Sequence, residues 1–409
     1  MLLNPNCKIT EFNEFVKNHT HGHYMKTSMW VNTLDANTKP FYVGFYEEDK
    51  LIGTALVLKK KWLNKSYLYI PWGPCIDYQN QTQLKETLNL LKTFTKNENC
   101  FMLRIDFNVI RVSRDLDGNE IEGINNEHIT DTIIDCGFKH KGYGYAYNGS
   151  WVNRYTLVAS LNKTIDEILA SYAKPRQTAI KRHQIIGVQT RIGTLDDLDA
   201  LCSFEKELAE LQGFKPHSKE YFKKIIESFK QNARFYVTEI DLARMVQGLD
   251  EEIHSKKYAK DKEAYASKEK EYKEALQLQK TYGDHVKIAA GLFLYYGDTS
   301  YDLYTYNKKE FGFVKPVDNL HFFAMQDMKN LGVTHYDMCG FSGTVKKEDP
   351  YYGLYSYKKS FGSEFTEYIG EFDYIQSPKA YQNFIKQYRL YSKVKRKVNA
   401  ILNQKQKSS

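Results

Sequence analysis

Residues 40–58 (PFYVGFYEEDKLIGTALVL) are rich in apolar and aromatic side chains around a polar break from Glu47 to Lys50, a pattern that predicts two strands and a turn. Ser66 to Ile70 predicts a further strand. It stops at Pro71-Trp72-Gly73-Pro74, where two prolines around a glycine end regular structure and let backbone approach a ligand. Gln81 to Lys96 has a helical period, and Phe101 to Asp106 reads as a strand ending in a carboxylate. The polar stretch Arg111 to His128 reads as a loop. Residues 151–200 repeat the theme, with a strand near Arg154 to Val158, a helical region from Ile165 to Ile185 broken or kinked at Pro175, and a strand near Gly187 to Ile192. Two halves of similar size, each mixing sheet and helix, predict an α/β chain with a duplicated fold.

The stretch from about Asp241 to Asp284 differs. Between Glu251 and Glu274 it carries seven basic and seven acidic residues, no Pro or Gly, and mostly helix-forming side chains. Met245, Leu249 and Ile253 recur at four-residue steps, and Tyr265, Tyr272 and Leu276 form a weaker stripe. The expectation is an antiparallel two-helix arm turning near Lys257 to Lys262, projecting into solvent and held mainly by its own seam.

The chain has 409 residues, an apolar fraction of 42% and 14% aromatics, which excludes a disordered polymer and suggests two or three domains. The longest apolar run, Ile288 to Tyr296, is far short of the roughly 20 residues of a membrane-spanning helix. The start shows neither a basic nor an apolar leader segment, so no signal peptide is expected. Six dispersed cysteines without a CxxC pair argue against a zinc knuckle or dithiol centre and suit a reducing, cytoplasmic compartment. The net charge of +8 resides in the tail. From Tyr381 to Ser409 there are eight basic residues and no acid, while the body is balanced. Tyr388, Leu390, Tyr391, Val394, Val398, Ile401 and Leu402 lie near helical spacing among those cations, which reads as a basic amphipathic helix. It could rest on an anionic membrane or RNA, or pack on the body with a solvated face.

His19, His21 and His23 alternate as a metal site on a strand would require, but without a Cys or carboxylate beside them they read as a terminal surface cluster. No metal or cofactor is expected. GxSxG, HExxH and Walker patterns are absent, which leaves serine hydrolase, zinc protease and P-loop chemistry without support. Lys174, Arg176, Lys181, Arg182 and His183 could hold phosphates or form an ordinary basic helix face. The segment Tyr336 to Asp373 (YDMCGFSGTVKKEDPYYGLYSYKKSFGSEFTEYIGEFD) is the richest, with aromatics interleaved with lysines as a site for stacking a ring and neutralising an oxyanion requires.

Several blocks occur in an order that resembles the FemABX family of non-ribosomal peptidyltransferases, which build interpeptide bridges in bacterial peptidoglycan. They are Tyr69 to Tyr78 (YIPWGPCIDY), Leu103 to Asp106, Pro175-Arg176-Gln177, Gly353 to Phe361 (GLYSYKKSF) and Glu367 to Phe372. The resemblance implies two acetyltransferase-like (GNAT) domains. The first is expected over 1–150, completed by roughly 365–409. The second spans 151–364, with the coiled-coil arm inserted at 241–284. It also implies an aminoacyl-tRNA donor of Ala, Ser or Gly and, as acceptor, the stem-peptide lysine amine of a lipid-linked precursor. The basic tail would lie at the inner membrane surface.

In that reading Lys358 stabilises the oxyanion or the terminal tRNA phosphate, with Tyr357 packing on the adenosine. Asp106 binds or deprotonates the attacking ammonium, or makes only structural hydrogen bonds. Lys359, Trp72, Gly73, Tyr304, Arg176, Lys26 and His217 complete the implied substrate-binding set. Some positions depart from the family pattern. Leu34 stands where many relatives have a phosphate-binding lysine, Leu211 replaces an expected arginine, and Trp72 occupies a place often held by Arg, so that Lys26 or Lys39 would have to compensate. A soluble nucleotide-linked precursor or a protein amine is the alternative acceptor, and a non-catalytic RNA- or lipid-binding protein the alternative class.

Overall fold

The computed structural model describes residues 1–145, 151–255, 262–388 and 390, in which thirteen strands join one sheet. From one edge the order is Leu2–Asn4, Lys39–Glu47, Lys50–Trp62, Lys65–Ile70, Cys100–Ile110, Glu364–Ile375, Tyr155–Ser160, His335–Gly340, Thr299–Asn307, His285–Tyr296, Ala233–Asp241 and Val188–Ile192. Lys139–His140 pairs beside Glu364–Ile375. Read inward from either edge, the pairings run in the same succession of three antiparallel, one parallel and one antiparallel. A parallel pair needs a long crossover, and a helix supplies it in each half, Gln81–Asn97 in one and Pro316–Asn330 in the other. The duplication expected from the alternating elements is therefore present in the topology. The strand that completes the first half comes from the far end of the chain. Glu364–Ile375 pairs with Cys100–Ile110 through Tyr368–Ile375 and with Tyr155–Ser160 through Glu364–Glu367.

Most local expectations match. Glu48 and Asp49, with φ of 47° and 66°, form the tight turn between Lys39–Glu47 and Lys50–Trp62. Pro175 sits in the first turn of Lys174–His183, which is separate from Ile165–Ser171. Two readings are corrected. Asp106 lies within a strand that continues to Ile110 instead of ending it. The stretch 111–128 is not a loop: Val112–Arg114 and Glu120–Asn125 pair, and the helix Glu127–Asp135 follows. Its charges hid it, because they find a distant partner. The buried Glu367 carboxylate is shared by Arg111 (3.2 Å), Arg114 and Arg154.

Arm helices Leu242–Ile253 and Lys262–Tyr282 lie antiparallel. Leu242 N–H donates to the Asp284 carbonyl at their base (2.7 Å), and further out Lys268 meets Glu252 (2.9 Å). The turn expected near Lys257 to Lys262 lies mostly outside the described residues. The arm is not free of the body. Met245, Leu249 and Ala275 are buried in one cluster with Ile186, Val188, Ile288 and Phe311. Tyr265 and Leu276 are about two-fifths exposed, and the contacting face of the second helix instead runs through Tyr272, Ala275 and Leu278. Of the tail's eight basic residues only Lys386 is described, at the end of a segment whose Phe384 packs on Trp62 (5.3 Å). Most of the expected amphipathic helix lies outside the described residues.

Candidate active site

Side chains alternate across a strand, so five adjacent strands spanning the junction of the halves send every second residue to one face. Asn108 and Ile110, Glu364, Thr366 and Tyr368, Val158 and Ser160, His335 and Asp337, and Thr299 and Tyr301 floor a cleft of about 1020 Å³. Its walls are the segment Thr20–His23, residues 77–79 and the hairpin carrying Arg114, Leu116, Ile121 and Ile124. The volume suits a sizeable ligand.

In a chain of net charge +8 this cleft is acidic. Asp77, Asp115, Asp298, Asp337 and Glu364 line it, while Arg114, the one arginine lining it among the described residues, is held by Glu367 and Glu120. Asp298 is ion-paired to His335 (3.4 Å), which lowers the carboxyl and raises the imidazole. His21 is pushed down to about 4, mainly by burial and then by the Lys26 charge, and His23 lies well below its usual value for the same reasons. Both rings are therefore neutral at physiological pH. The concave surface favours a cation over a phosphate.

Asp337 is buried and accepts a hydrogen bond from Cys339 N–H (2.7 Å). Burial raises its pKa to about 7 against the lowering effect of that bond and of the nearby Lys358 charge. Between Asp337 and Gly340 the strand slips by one residue against Tyr155–Ser160, with Cys339 at φ 60°. The carbonyls of Met338 and Gly340 point to Lys358, whose ammonium donates to both, at 2.8 Å in the case of Gly340.

The wall at residues 20–23 explains two further side chains. Lys26 is buried, with its ammonium donating to the His21 carbonyl (2.6 Å) and Asn108 Oδ1 (3.2 Å) and, among the described residues, no carboxylate bonded to it. Burial lowers its pKa to about 8. Trp72 (φ 59°) and Gly73 (φ 71°) form a left-handed turn after Ile70. A Cβ on Gly73 would lie 2.8 Å from the Tyr78 hydroxyl, so the turn requires glycine. The Trp72 indole stacks on His23 (4.6 Å) and meets Tyr368 edge-on (5.1 Å). Lys26, Trp72 and Gly73 thus support the wall from behind. The three histidines, expected on the surface, are packed. His23 is buried, and His21 and His23 line the cleft, because Lys26 and Trp72 draw the segment inward. Among the described residues no cluster could hold a metal ion.

Other expected site residues fall elsewhere. Asp106 is fully buried, accepts from the Tyr69 hydroxyl (2.5 Å), and is pushed well above the carboxylate range by burial and by Glu371. It is not among the cleft-lining residues. Arg176 is bonded to Asp318 and Ser360, with its guanidinium over the rings of Tyr357 (4.6 Å) and Phe361 (4.1 Å). Arg182 pairs with Glu271 of the arm, so the basic helix spends these charges internally. Lys359 donates to the Leu116 carbonyl (3.3 Å), tying its helix to the cleft hairpin. Tyr304 and His217 do come together. Their rings are 5.2 Å apart beside Tyr221, but neither lines the cleft, and His217 is fastened to buried Glu205 (2.7 Å). Sequence reasoning missed Asp337, Glu364 and the Asp298–His335 pair. Asp337 and Glu364 lie in the segment already singled out and Asp298 and His335 before it, and only the pairing of five strands shows which alternate positions share a face.

A family model described as the FemAB family matches residues 7–387. A lipid II:glycine glycyltransferase of Staphylococcus aureus (strain bovine RF122 / ET3-1) is 26% identical over 404 residues, covering 91% of this chain and 92% of that protein. One of Staphylococcus saprophyticus is 24% identical over 394 residues, covering 90% and 92%. A crystal structure of FemX aligns with a TM-score of 0.76 at 23% identity over 93% of this chain and 99% of its own, which shows a shared fold. The fold is thus the expected mixed α/β one in two halves of like strand succession, and, with nearly its whole length matched, the chain belongs to the FemAB family.

Proposed function

We propose that this chain is an aminoacyltransferase that carries an aminoacyl group from the terminal ester of an aminoacyl-tRNA to the stem-peptide lysine amine of the lipid-linked peptidoglycan precursor. The acid-floored cleft carries this reading. The acceptor amine is a cation at neutral pH, and five carboxylates where the half-sheets meet attract it and hold it for deprotonation. The names of the relatives, lipid II:glycine glycyltransferases, support the lipid-linked acceptor and put glycine first among Gly, Ala and Ser.

Chemically, the neutral amine attacks the ester carbonyl, a tetrahedral oxyanion forms, and the ribose oxygen leaves as the amide is made. The ester is already activated, so no enzyme nucleophile is needed, and alignment of two substrates in one cleft can supply up to roughly 7–11 kcal/mol. The two half-sheets are read as two domains, 1–150 with 365–409 and 151–364, the arm being inserted at 241–284. No helix of the described residues is long and apolar enough to cross a membrane. The proposed station is the inner membrane surface, reached through the basic tail.

Purified protein mixed with radiolabelled glycyl-tRNA and lipid-linked precursor in detergent should yield a labelled lipid product, with alanyl- and seryl-tRNA reacting more slowly. Label appearing only on a soluble nucleotide-linked precursor would reassign the acceptor, and no transfer to either would reject the reading.

A further inference from the structure

We propose that Asp337 is the base that takes the proton from the attacking amine, and that Lys358 serves it from behind as a positioning residue by holding the bulge that aims it. This rests on the aminoacyl-transfer reading above and adds to it the proton acceptor. Of the five carboxylates in the cleft Asp337 alone is buried, and among the described residues it forms no ion pair. One of its oxygens is fixed by Cys339 N–H, which leaves the other for the amine. The bulge makes this possible. With Cys339 at φ 60° its N–H turns back to its own strand's carboxylate instead of joining the ladder, and the displaced carbonyls of Met338 and Gly340 are satisfied by the Lys358 ammonium. Two of the three Lys358 protons are so engaged, and Lys358 is not among the cleft-lining residues.

The groups facing Asp337 are Lys358 from the helix Tyr352–Lys359, Asp302 and Tyr301 from the neighbouring strand, Tyr24, Tyr368 and the Cys339 thiol. The phenols and the thiol are all pushed above their ordinary values by burial and so stay neutral near pH 7. The balance of burial, Asp302 and Lys358 leaves the carboxyl at about 7, where a base is effective at neutral pH. In the reaction the ammonium gives one proton to the Asp337 carboxylate and attacks the ester carbon. The C–N bond forms, the C–O bond to ribose breaks, and the second nitrogen proton leaves with the ribose oxygen as a hydroxyl. Asp337 then releases its proton to water.

The test is the pH dependence of glycyl transfer for the wild type, Asp337→Asn and Lys358→Met, with thermal unfolding as the control for folding. Asparagine keeps the shape and the acceptor for Cys339 N–H. The wild-type rate should rise with pH through a midpoint near 7. Asp337→Asn should lower kcat by about 10²- to 10⁴-fold and lose that limb. Lys358→Met should move the limb to higher pH, because the positive charge that lowers the Asp337 pKa is gone. Wild-type kcat and profile in Asp337→Asn would overturn the proposal. Loss of rate in Lys358→Met with the limb unmoved would assign Lys358 to the substrate instead. Should Asp337→Asn not fold, a wild-type rate flat from about pH 6 to 8 would overturn it as well. A wild type inert toward both precursors would indict the underlying reaction and not Asp337.

Discussion

Lys26 shows what a single buried charge does to this molecule. Its ammonium holds the His21 carbonyl and Asn108 in place at the cleft wall, yet among the described residues no carboxylate offsets its burial. The folded protein binds this proton with a pKa near 8, while the unfolded chain keeps it to about 10.5. Between those values the unfolded state holds more protons, so stability rises with pH across the window, approaching about 3 kcal/mol at roughly 1.4 kcal/mol per unit. Urea unfolding of the wild type and Lys26→Met in steps from pH 7 to 10.5 should show the wild type gaining on the variant. A constant difference would mean that the ammonium is not penalised.

At the scale of elements, the arm separates two kinds of stripe. Leu249 is fully buried against the body, whereas Leu276 is 39% exposed on the second helix. Leu249→Ala should cost about 2–5 kcal/mol in urea unfolding, and Leu276→Ala should stay within about 0.5 kcal/mol. Similar losses at both positions would indicate a free-standing two-helix seam. Four-residue steps identified Met245, Leu249 and Ile253 correctly, because a wide apolar side chain at helical spacing has few other uses. Ala275 was invisible in the sequence, since a small side chain marks close approach only once its neighbours are known. The hairpin after Ile110 escaped for a related reason. Its arginines read as solvated until Glu367, some 250 positions later, is placed among them.

For the whole molecule, the two halves are joined by a strand from the end of the chain, and the part of it that completes the first half is fastened there by the buried pair of Arg104 and Asp373. The guanidinium donates twice to the carboxylate (2.7 and 2.9 Å) and lies over Trp151 (4.3 Å), and the Tyr381 hydroxyl also donates to Asp373 (2.7 Å). Burial raises the Asp373 pKa, but the Arg104 bonds outweigh it and hold the carboxyl below its usual range. The pair's contribution is therefore present above the unfolded carboxylate value of about 4 and is lost as pH falls through the lower folded one. Arg104→Met would leave that carboxylate buried and unpaired, at an expected cost of about 3–5 kcal/mol by urea unfolding at pH 7. Adding Asp373→Asn should recover part of the loss, and strict additivity of the two changes would mean that the residues are not coupled.

Local chemistry was settled by the order of residues alone. The tight turn at Glu48-Asp49, the helix with Asn80 at its N-terminus, the two arm helices and the motif blocks that identify the family all depend on near neighbours in the chain. The cleft was not, because it is made where Asn108, Ser160, Thr299, Asp337 and Glu364 meet on one sheet face. Period-2 alternation shows that residues of a strand take turns between two faces, but only the pairing register decides which turn faces the substrate. The same holds for charge. Asp106 and Asp337 are each a carboxylate in an apolar strand, and tertiary burial makes one a sealed acid beside Tyr69 while the bulge opens the other to the cleft.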